Sequence, residues 1–135
     1  MIATAIARYV RMTPRKVRYA AVPLRGLTVA KARAALTVMN RRAAAPLATL
    51  IASAFANARQ RQPALREDEV VISRLVANEG PRLKRFRAAA FGRAARVLKR
   101  TTHIVVELDK TSVPVQAPGA PAQVGQQGAR GTDGA

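Results

Sequence analysis

Cysteine is absent from this 135-residue chain, and there are only five aromatic residues other than its single histidine. Without thiols the chain has no disulfide staples, no thiolate metal site and no cysteine nucleophile, a composition that fits a reducing compartment. Acids are almost as scarce: there are seven Asp and Glu against 24 Lys and Arg, and none stands before Glu67. Catalysis needs a positioned acid, base, nucleophile or metal, and few residues could supply one. His103 lies in "KRTTHIVVE" on a predicted strand, where a structural or phosphate-facing imidazole is expected rather than a general base. Glu67, Asp68 and Glu69 follow one another with no second ligand cluster, so they read as a solvated turn. Glu79, just before Gly80 and Pro81, is expected to pair with a nearby Arg. No glycine-rich phosphate loop occurs. An enzyme is therefore not expected, nor a metal or cofactor. The longest uncharged run before the Pro-, Gly- and Gln-rich tail, Ala43 to Ala58, is too short to span a bilayer and contains Pro46, Thr49, Ser53 and Asn57, so the chain is expected to be soluble and to have no membrane partner.

What is abundant is positive charge. The formal net charge is +17, thirteen cations precede the first acid, and nineteen of the 24 bases are Arg. Such a balance points to nucleic acid, because the planar guanidinium binds phosphate through two bonds and stacks on exposed bases. A high-GC genome that encodes Arg in place of Lys would produce the same Arg excess. The first eighteen residues, Arg-rich and acid-free, resemble an organellar transit peptide in composition but lack the charged-then-apolar order of a secretory signal.

The length suits one domain, and a hydrophobic fraction of 49% can support a modest core. Ile2 to Met12 reads as a strand. "TPRK" from Thr13 opens a helix, with Pro14 at its first position; Val17, Ala20, Ala21 and Leu24 fall on one face, Gly26 closes it, and Pro23 should fray its last turn. Thr28 can cap a second helix with apolar positions Val29, Ala32, Leu36 and Met39, and Asn40 can cap the next. Leu47, Leu50, Ile51, Ala54, Phe55 and Ala58 then mark one buried stripe of a third helix, which ends in a polar loop at Pro63. From Val70 the period becomes alternating, with Val70, Ile72 and Val76 on one side and Val71, Ser73 and Leu75 on the other. Val97, Ile104, Val106 and Leu108 give a second strand, and the simplest arrangement pairs the two as one long hairpin. The expected class is α+β: three helices packed on a short antiparallel sheet, with a long extended β-hairpin over about 80–100. Residues 1–110 form the expected domain; 111–135, rich in Pro, Gly, Gln and Ala, form an expected disordered, dispensable tail.

The hairpin segment Pro81 to Arg100, "PRLKRFRAAAFGRAARVLKR", holds eight Lys or Arg and no acid. Ten residues of strand from Gly80 to Ala90 would reach about 33 Å at about 3.3 Å per residue, more than a small domain can bury. The arm is therefore expected to penetrate among phosphates and to be ordered mainly by its partner. A solvated charged loop is the plainer alternative. A nonspecific nucleic-acid condensing protein or RNA chaperone would share the charge without needing a particular arm. A membrane-active peptide would need a cationic amphipathic helix where a hairpin is predicted.

Taken together, "ARYVRMTPRKVR" with "LRG" at Leu24 to Gly26, "IASAFANA" at Ile51 to Ala58, and "NEGPRLKRFR" leading through "GRA" to "KRTTHI" resemble the bacterial-type large-subunit ribosomal protein L-twenty-two family over about Ala3 to Leu108. The resemblance implies a non-catalytic protein of the cytoplasmic ribosome, rather than an organellar one, with three kinds of partner: large-subunit rRNA, neighbouring large-subunit proteins, and the nascent polypeptide met where the hairpin reaches the exit-tunnel wall. It implies rRNA contacts at Arg8, Arg11, Arg15, Lys16 and Arg18. The hairpin stem would contribute Arg82, Lys84, Arg85, Arg96, Lys99 and Arg100. The tunnel-facing tip would be Arg87, Ala88, Ala89, Ala90, Phe91, Gly92 and Arg93, with Arg87 and Arg93 also on rRNA. In the family, changes at this tip affect macrolide action and nascent-chain sensing. Ala88, Ala89 and Phe91 stand where the family's tip usually carries proline, arginine and glutamine, and Ala95 where an aromatic is usual; Pro23 is a further departure. Phe91 could stack on a base or pack against the opposite strand.

Overall fold

The computed structural model describes residues 1–111. Its elements are β1 (Ala3–Val10), α1 (Pro14–Ala21), α2 (Val29–Val38), α3 (Ala44–Arg61), β2 (Val70–Glu79), β3 (Leu83–Ala88), β4 (Ala94–Lys99) and β5 (Thr102–Lys110), with single 3-10 turns at Val22–Leu24, Glu67–Glu69 and Ala90–Gly92. The α+β class holds. Three helices cover one face of an antiparallel sheet of order β1-β5-β2, and β3 pairs with β4 as a separate ribbon.

The acid-free N-terminus is part of this sheet. Ala3 and Ala5 are buried opposite Leu108 and Val106, and their small side chains let α3 lie close. The Asn57 amide and the Arg61 guanidinium on α3 then donate to the carbonyls of Thr4 and Ile2, at 3.3 and 2.7 Å. The expected stripe of α3 is buried throughout, from Leu47 to Ala58. Each large apolar side chain there stabilises the fold by about 1.5–3 kcal/mol, so this helix anchors the core.

Thr28 caps α2, its hydroxyl accepting from the Lys31 N–H at 3.4 Å. Pro14 starts α1, and the chain tightens into a 3-10 turn across Pro23, the fraying expected of a residue without an amide hydrogen. Asn40 does not cap α3. That helix begins after Ala43, because Met39 to Ala44 make two tight turns first, with Arg41 N–H bonded to the Met39 carbonyl and Ala44 N–H to that of Arg41.

The sheet corrects one further expectation and adds detail to the expected long hairpin, which is present. Ser73 is an extra residue on β2: Ile72 pairs with Leu108 and Arg74 with Glu107, so the inward set passes from Val70 and Ile72 to Leu75 and Ala77. A bulge shifts the two-residue period by one, which is why Leu75 and not Val76 is buried. The long hairpin is also two ladders rather than one. β2 pairs with β5 up to Glu79–Thr102, and β3 with β4 from Leu83–Lys99. Pro81 has no amide to donate, and Thr101 bridges the gap by donating its hydroxyl to the Pro81 carbonyl at 2.7 Å while its own carbonyl accepts from Gly80 N–H at 2.9 Å. The outer ladder spans six residues on each strand, about 20 Å at about 3.3 Å per residue, shorter than the expected ten. The expected tail lies outside the described residues apart from Thr111, whose N–H donates to the Glu69 carbonyl at 2.8 Å.

Candidate nucleic-acid interface

The β3–β4 ribbon has little core of its own: most of its residues are exposed, and among the helices and strands each of its strands packs chiefly on the other. Its register decides where its cations stand. Leu83 faces Lys99, Lys84 faces Leu98, Arg85 faces Val97, Phe86 faces Arg96, and Arg87 faces Ala95. Every cation is thus opposite an apolar residue, which avoids the destabilisation of like charges directly across a ladder. Directly opposed residues share a face, so Arg85, Arg87 and Lys99 lie on one side of the ribbon and Lys84 and Arg96 on the other. Both faces are basic.

The tip closes with Ala89 N–H bonded to the Arg93 carbonyl at 2.8 Å. Phe91 and Gly92 both adopt left-handed backbone, φ 58° and 64°. Glycine takes that conformation freely, whereas for phenylalanine it is uncommon. Phe91 is 98% exposed; it does not pack on the opposite strand, which leaves it open to a partner.

The helical cations divide by role. Arg8 and Arg11 are exposed at the arm end of β1, and Arg15, Lys16 and Arg18 on α1. Arg15 lies over the Tyr19 ring at 5.9 Å. Arg18 donates through Nε to the Ala77 carbonyl at 3.1 Å, and Arg25 likewise to Leu75 at 3.0 Å. These bonds satisfy the outer carbonyls of β2, an edge strand, so both arginines have a structural task besides any phosphate contact.

Where the arm leaves the domain, four segments border a cleft of about 690 Å³: the chain after β1, α1, the α2–α3 connection and the end of β4. Arg11, Lys16, Arg41, Arg42, Lys99 and Arg100 line it together with Met12, Tyr19 and Leu98, and no acid does. Arg41 and Arg42 were missed as binding candidates in the sequence. Their only signal is the adjacent pair after Asn40, which says nothing of the strand and helix they meet in space.

Acids are held away from this region. Among the described residues Glu67, Asp68, Glu69, Glu107 and Asp109 gather where β2 begins and β5 ends, opposite the arm. Glu67 pairs with Arg33, Glu107 with Arg74, and Asp109 with the N-terminal amine. Glu79 alone stands at the arm's root. Its carboxylate accepts from Arg82 at 2.7 Å, and that bond, followed by the Arg82 charge and more distant Arg100 and Arg18, holds its pKa below the usual 4.5. His103 is structural in its geometry: Nδ1 accepts the Tyr9 N–H at 3.1 Å, and its ring meets the Tyr9 ring edge-on at 4.8 Å. This bond holds Tyr9 in its left-handed conformation, φ 57°, at the β1 bulge.

Sequence comparison adds to this geometry. The family model described as ribosomal protein L22p/L17e matches residues 5–109. The large ribosomal subunit protein uL22 of Anaeromyxobacter sp. (strain K) is 45% identical over 100 residues, covering 74% of this chain and 68% of the relative. That of Desulfatibacillum aliphaticivorans is 44% identical over 106 residues, covering 78% and 96%. That of Staphylococcus aureus (strain Newman) is 42% identical over 106 residues, covering 78% and 90%.

Proposed function

Because the chain belongs to the ribosomal protein L22p/L17e family and is thus a ribonucleoprotein constituent of the large subunit in translation, we propose that it binds large-subunit rRNA in a structural, non-catalytic role, its basic hairpin reaching the wall of the polypeptide exit tunnel. The working unit is residues 1–110. Its place is the cytoplasmic ribosome, where rRNA, neighbouring large-subunit proteins and, at the Arg87 to Arg93 tip, the nascent polypeptide are its partners.

The observation that carries this reading is the β3–β4 ribbon, basic on both faces and almost wholly exposed. Lys84, Arg85, Arg87, Arg93, Arg96 and Lys99 present six cations over a narrow two-stranded element, and Coulomb repulsion among them is relieved by dense negative charge around it. Arg8, Arg11, Arg15, Lys16 and Arg18 extend the same charge over the domain beside the arm's root, joined by Arg82 and Arg100.

Sedimentation of source-cell lysate at moderate and high salt tests the proposal, with the chain followed by mass spectrometry. Stoichiometric migration with the large subunit through a high-salt wash is expected. Spread over all nucleic-acid fractions, followed by loss in the wash, would instead leave a nonspecific condensing protein. For the isolated chain, neutralising about eight phosphates gives a slope of log affinity against log salt of about −6 to −7. A slope near zero removes the electrostatic basis.

A further inference from the structure

The two edges of the β1-β5-β2 sheet are finished differently. On β2 the chain closes its own edge. Ile72 exchanges two bonds with the segment before α2, its N–H donating to the Leu27 carbonyl and its carbonyl accepting from Gly26 N–H, both at 3.0 Å. The carbonyls of Leu75 and Ala77 accept from Arg25 and Arg18, and Val71 forms a bridge with Thr28. Another strand could add there only by displacing these groups.

The β1 edge is open. In an antiparallel ladder, facing residues either bond each other or both turn away. Leu75 and Ala77 turn away from Val106 and Ile104, their partners in β5, so Val106 and Ile104 bond across to Ala5 and Ala7. The backbone groups of Thr4 and Ile6 therefore point out of the sheet. Helix α3 takes one of them, through the Asn57 amide on the Thr4 carbonyl at 3.3 Å. Among the described residues the Thr4 N–H and both backbone groups of Ile6 have no partner. Nothing in the sequence blunts this edge, since Ala3 to Ala7 contains no proline and no charge, and the bulge comes only after Ala7. Ile6 is 53% exposed on the sheet face opposite the helices, at the end of a row with Val105 and Val76.

An occupant of this edge must offer donors and acceptors together, at the spacing of a strand. Phosphates only accept, so the anions that suit the arm leave the Ile6 carbonyl unserved. A second copy of the chain would bring a further formal charge of +17 against the first. We propose that the open edge of β1 takes a strand from a neighbouring large-subunit protein, an extended stretch about as long as Ala3 to Ala7 with an apolar side chain beside Ile6. The added strand gains affinity from main-chain bonds to Thr4 and Ile6, and selectivity from the side chain that continues the Ile6, Val105 and Val76 row. The inference rests on the place in the large subunit proposed above, and gives the protein partner there a surface and a mode of binding.

The test uses the full chain, alone and in large subunits purified from source cells. In the free chain, hydrogen exchange followed by NMR should find the Thr4 and Ile6 amides fast and those of Ala5 and Ala7 slow. Slow exchange at Thr4 and Ile6 would overturn the proposal, because residues 112–135 of the same chain or a second copy would already hold the edge. In the subunit, Thr4→p-benzoylphenylalanine should photo-crosslink to one continuous segment of one neighbouring large-subunit protein, identified by mass spectrometry. Adding Ile6→Pro removes the outward N–H and leaves the ladder to β5 intact, whereas Ile6→Thr keeps that N–H; thermal unfolding checks that both fold. Crosslink yield should fall about three- to tenfold with proline, the range for one lost backbone hydrogen bond, and hold with threonine. Crosslinks only to rRNA or to this chain, no crosslink, or equal yields in the two variants would each overturn strand addition, with the chain still in the large subunit. Should the proline variant fail to fold, exchange and crosslinking in the parent background still decide. Absence of the parent chain from the large subunit would instead defeat the functional reading itself.

Discussion

Replacing Gly80 with alanine should loosen the joint between sheet and arm without touching any charge. A Cβ at this position would fall well inside contact distance of Thr101 Oγ1 and at 3.1 and 3.3 Å from the His103 ring. Thr101 is only 5% exposed, and its hydroxyl is the bond that bridges the break in the ladder by donating to the Pro81 carbonyl. If Thr101 rotates away, that bond is lost at about 1 kcal/mol, and more if the carbonyl stays dry. If instead the backbone moves, overpacking costs about 1–3 kcal/mol. Alanine returns about 0.4–1 kcal/mol by restricting the unfolded chain, so the net loss should be about 1–2 kcal/mol. At about 4–8 °C per kcal/mol for a domain near this size, Tm falls by about 5–15 °C. Urea unfolding followed by circular dichroism measures it, with Thr101→Ala completing a double-mutant cycle. Once Oγ1 is gone only the His103 ring contacts remain, so Gly80→Ala should cost less in the Thr101→Ala background than in the parent. A Gly80→Ala variant as stable as the parent, or losses that simply add in the double variant, would refute the steric argument.

Deleting Arg87 to Arg93 removes no buried residue, so the domain should keep its cooperative thermal transition and still bind rRNA, with a salt slope flatter by about 1.4–1.8 for the two cations lost. Disappearance of the transition in calorimetry would show that the arm is part of the core. Glu79 supplies a pH prediction. Its folded pKa is depressed by Arg82, so its contribution to stability is present above the ordinary glutamate value of 4.5 and is lost as pH falls through the folded pKa. Carboxyl NMR should find its midpoint below 4.5 and moving back up in Arg82→Gln; a midpoint indifferent to that change would dismiss the pairing.

The parts of this molecule legible in its sequence are those set by local chemistry. The α3 stripe follows from helical spacing, the α2 cap from Thr28, and most of the inward set of β5 from the alternation of Ile104, Val106 and Leu108, although Val97, read with them, belongs to β4. What escaped depends on partners distant in sequence. The bulge at Ser73 is defined only against β5, where its hydroxyl donates to the Glu107 carbonyl at 3.1 Å. Asn40 has the chemistry of a cap, but the tight turns after Met39 place the helix start beyond it. The break at Pro81 needed Thr101 opposite it, and the cleft needed Arg41 and Arg42 to meet Lys99 and Arg100 across a fold that their local sequence does not describe.

The distribution of charge also bears on how the arm would meet RNA under the proposed function. A ribbon lying flat on a nucleic-acid surface needs cations on one face only, and the other face can carry acids or neutral polar residues at no electrostatic cost. Here Arg85, Arg87 and Lys99 occupy one face and Lys84 and Arg96 the other, and no acid occurs between Pro81 and Arg100. With a screening length of about 8–10 Å at ordinary salt, phosphates against one face would weakly serve cations pointing away from it. The two-faced pattern therefore favours an arm with RNA on both sides. The domain is arranged to match: five of the six acids among the described residues lie at the far end of the sheet, while the sixth, Glu79, is neutralised by Arg82. If the arm inserts into rRNA as proposed, it carries no unpaired negative charge among the phosphates, and the domain's acidic end faces away.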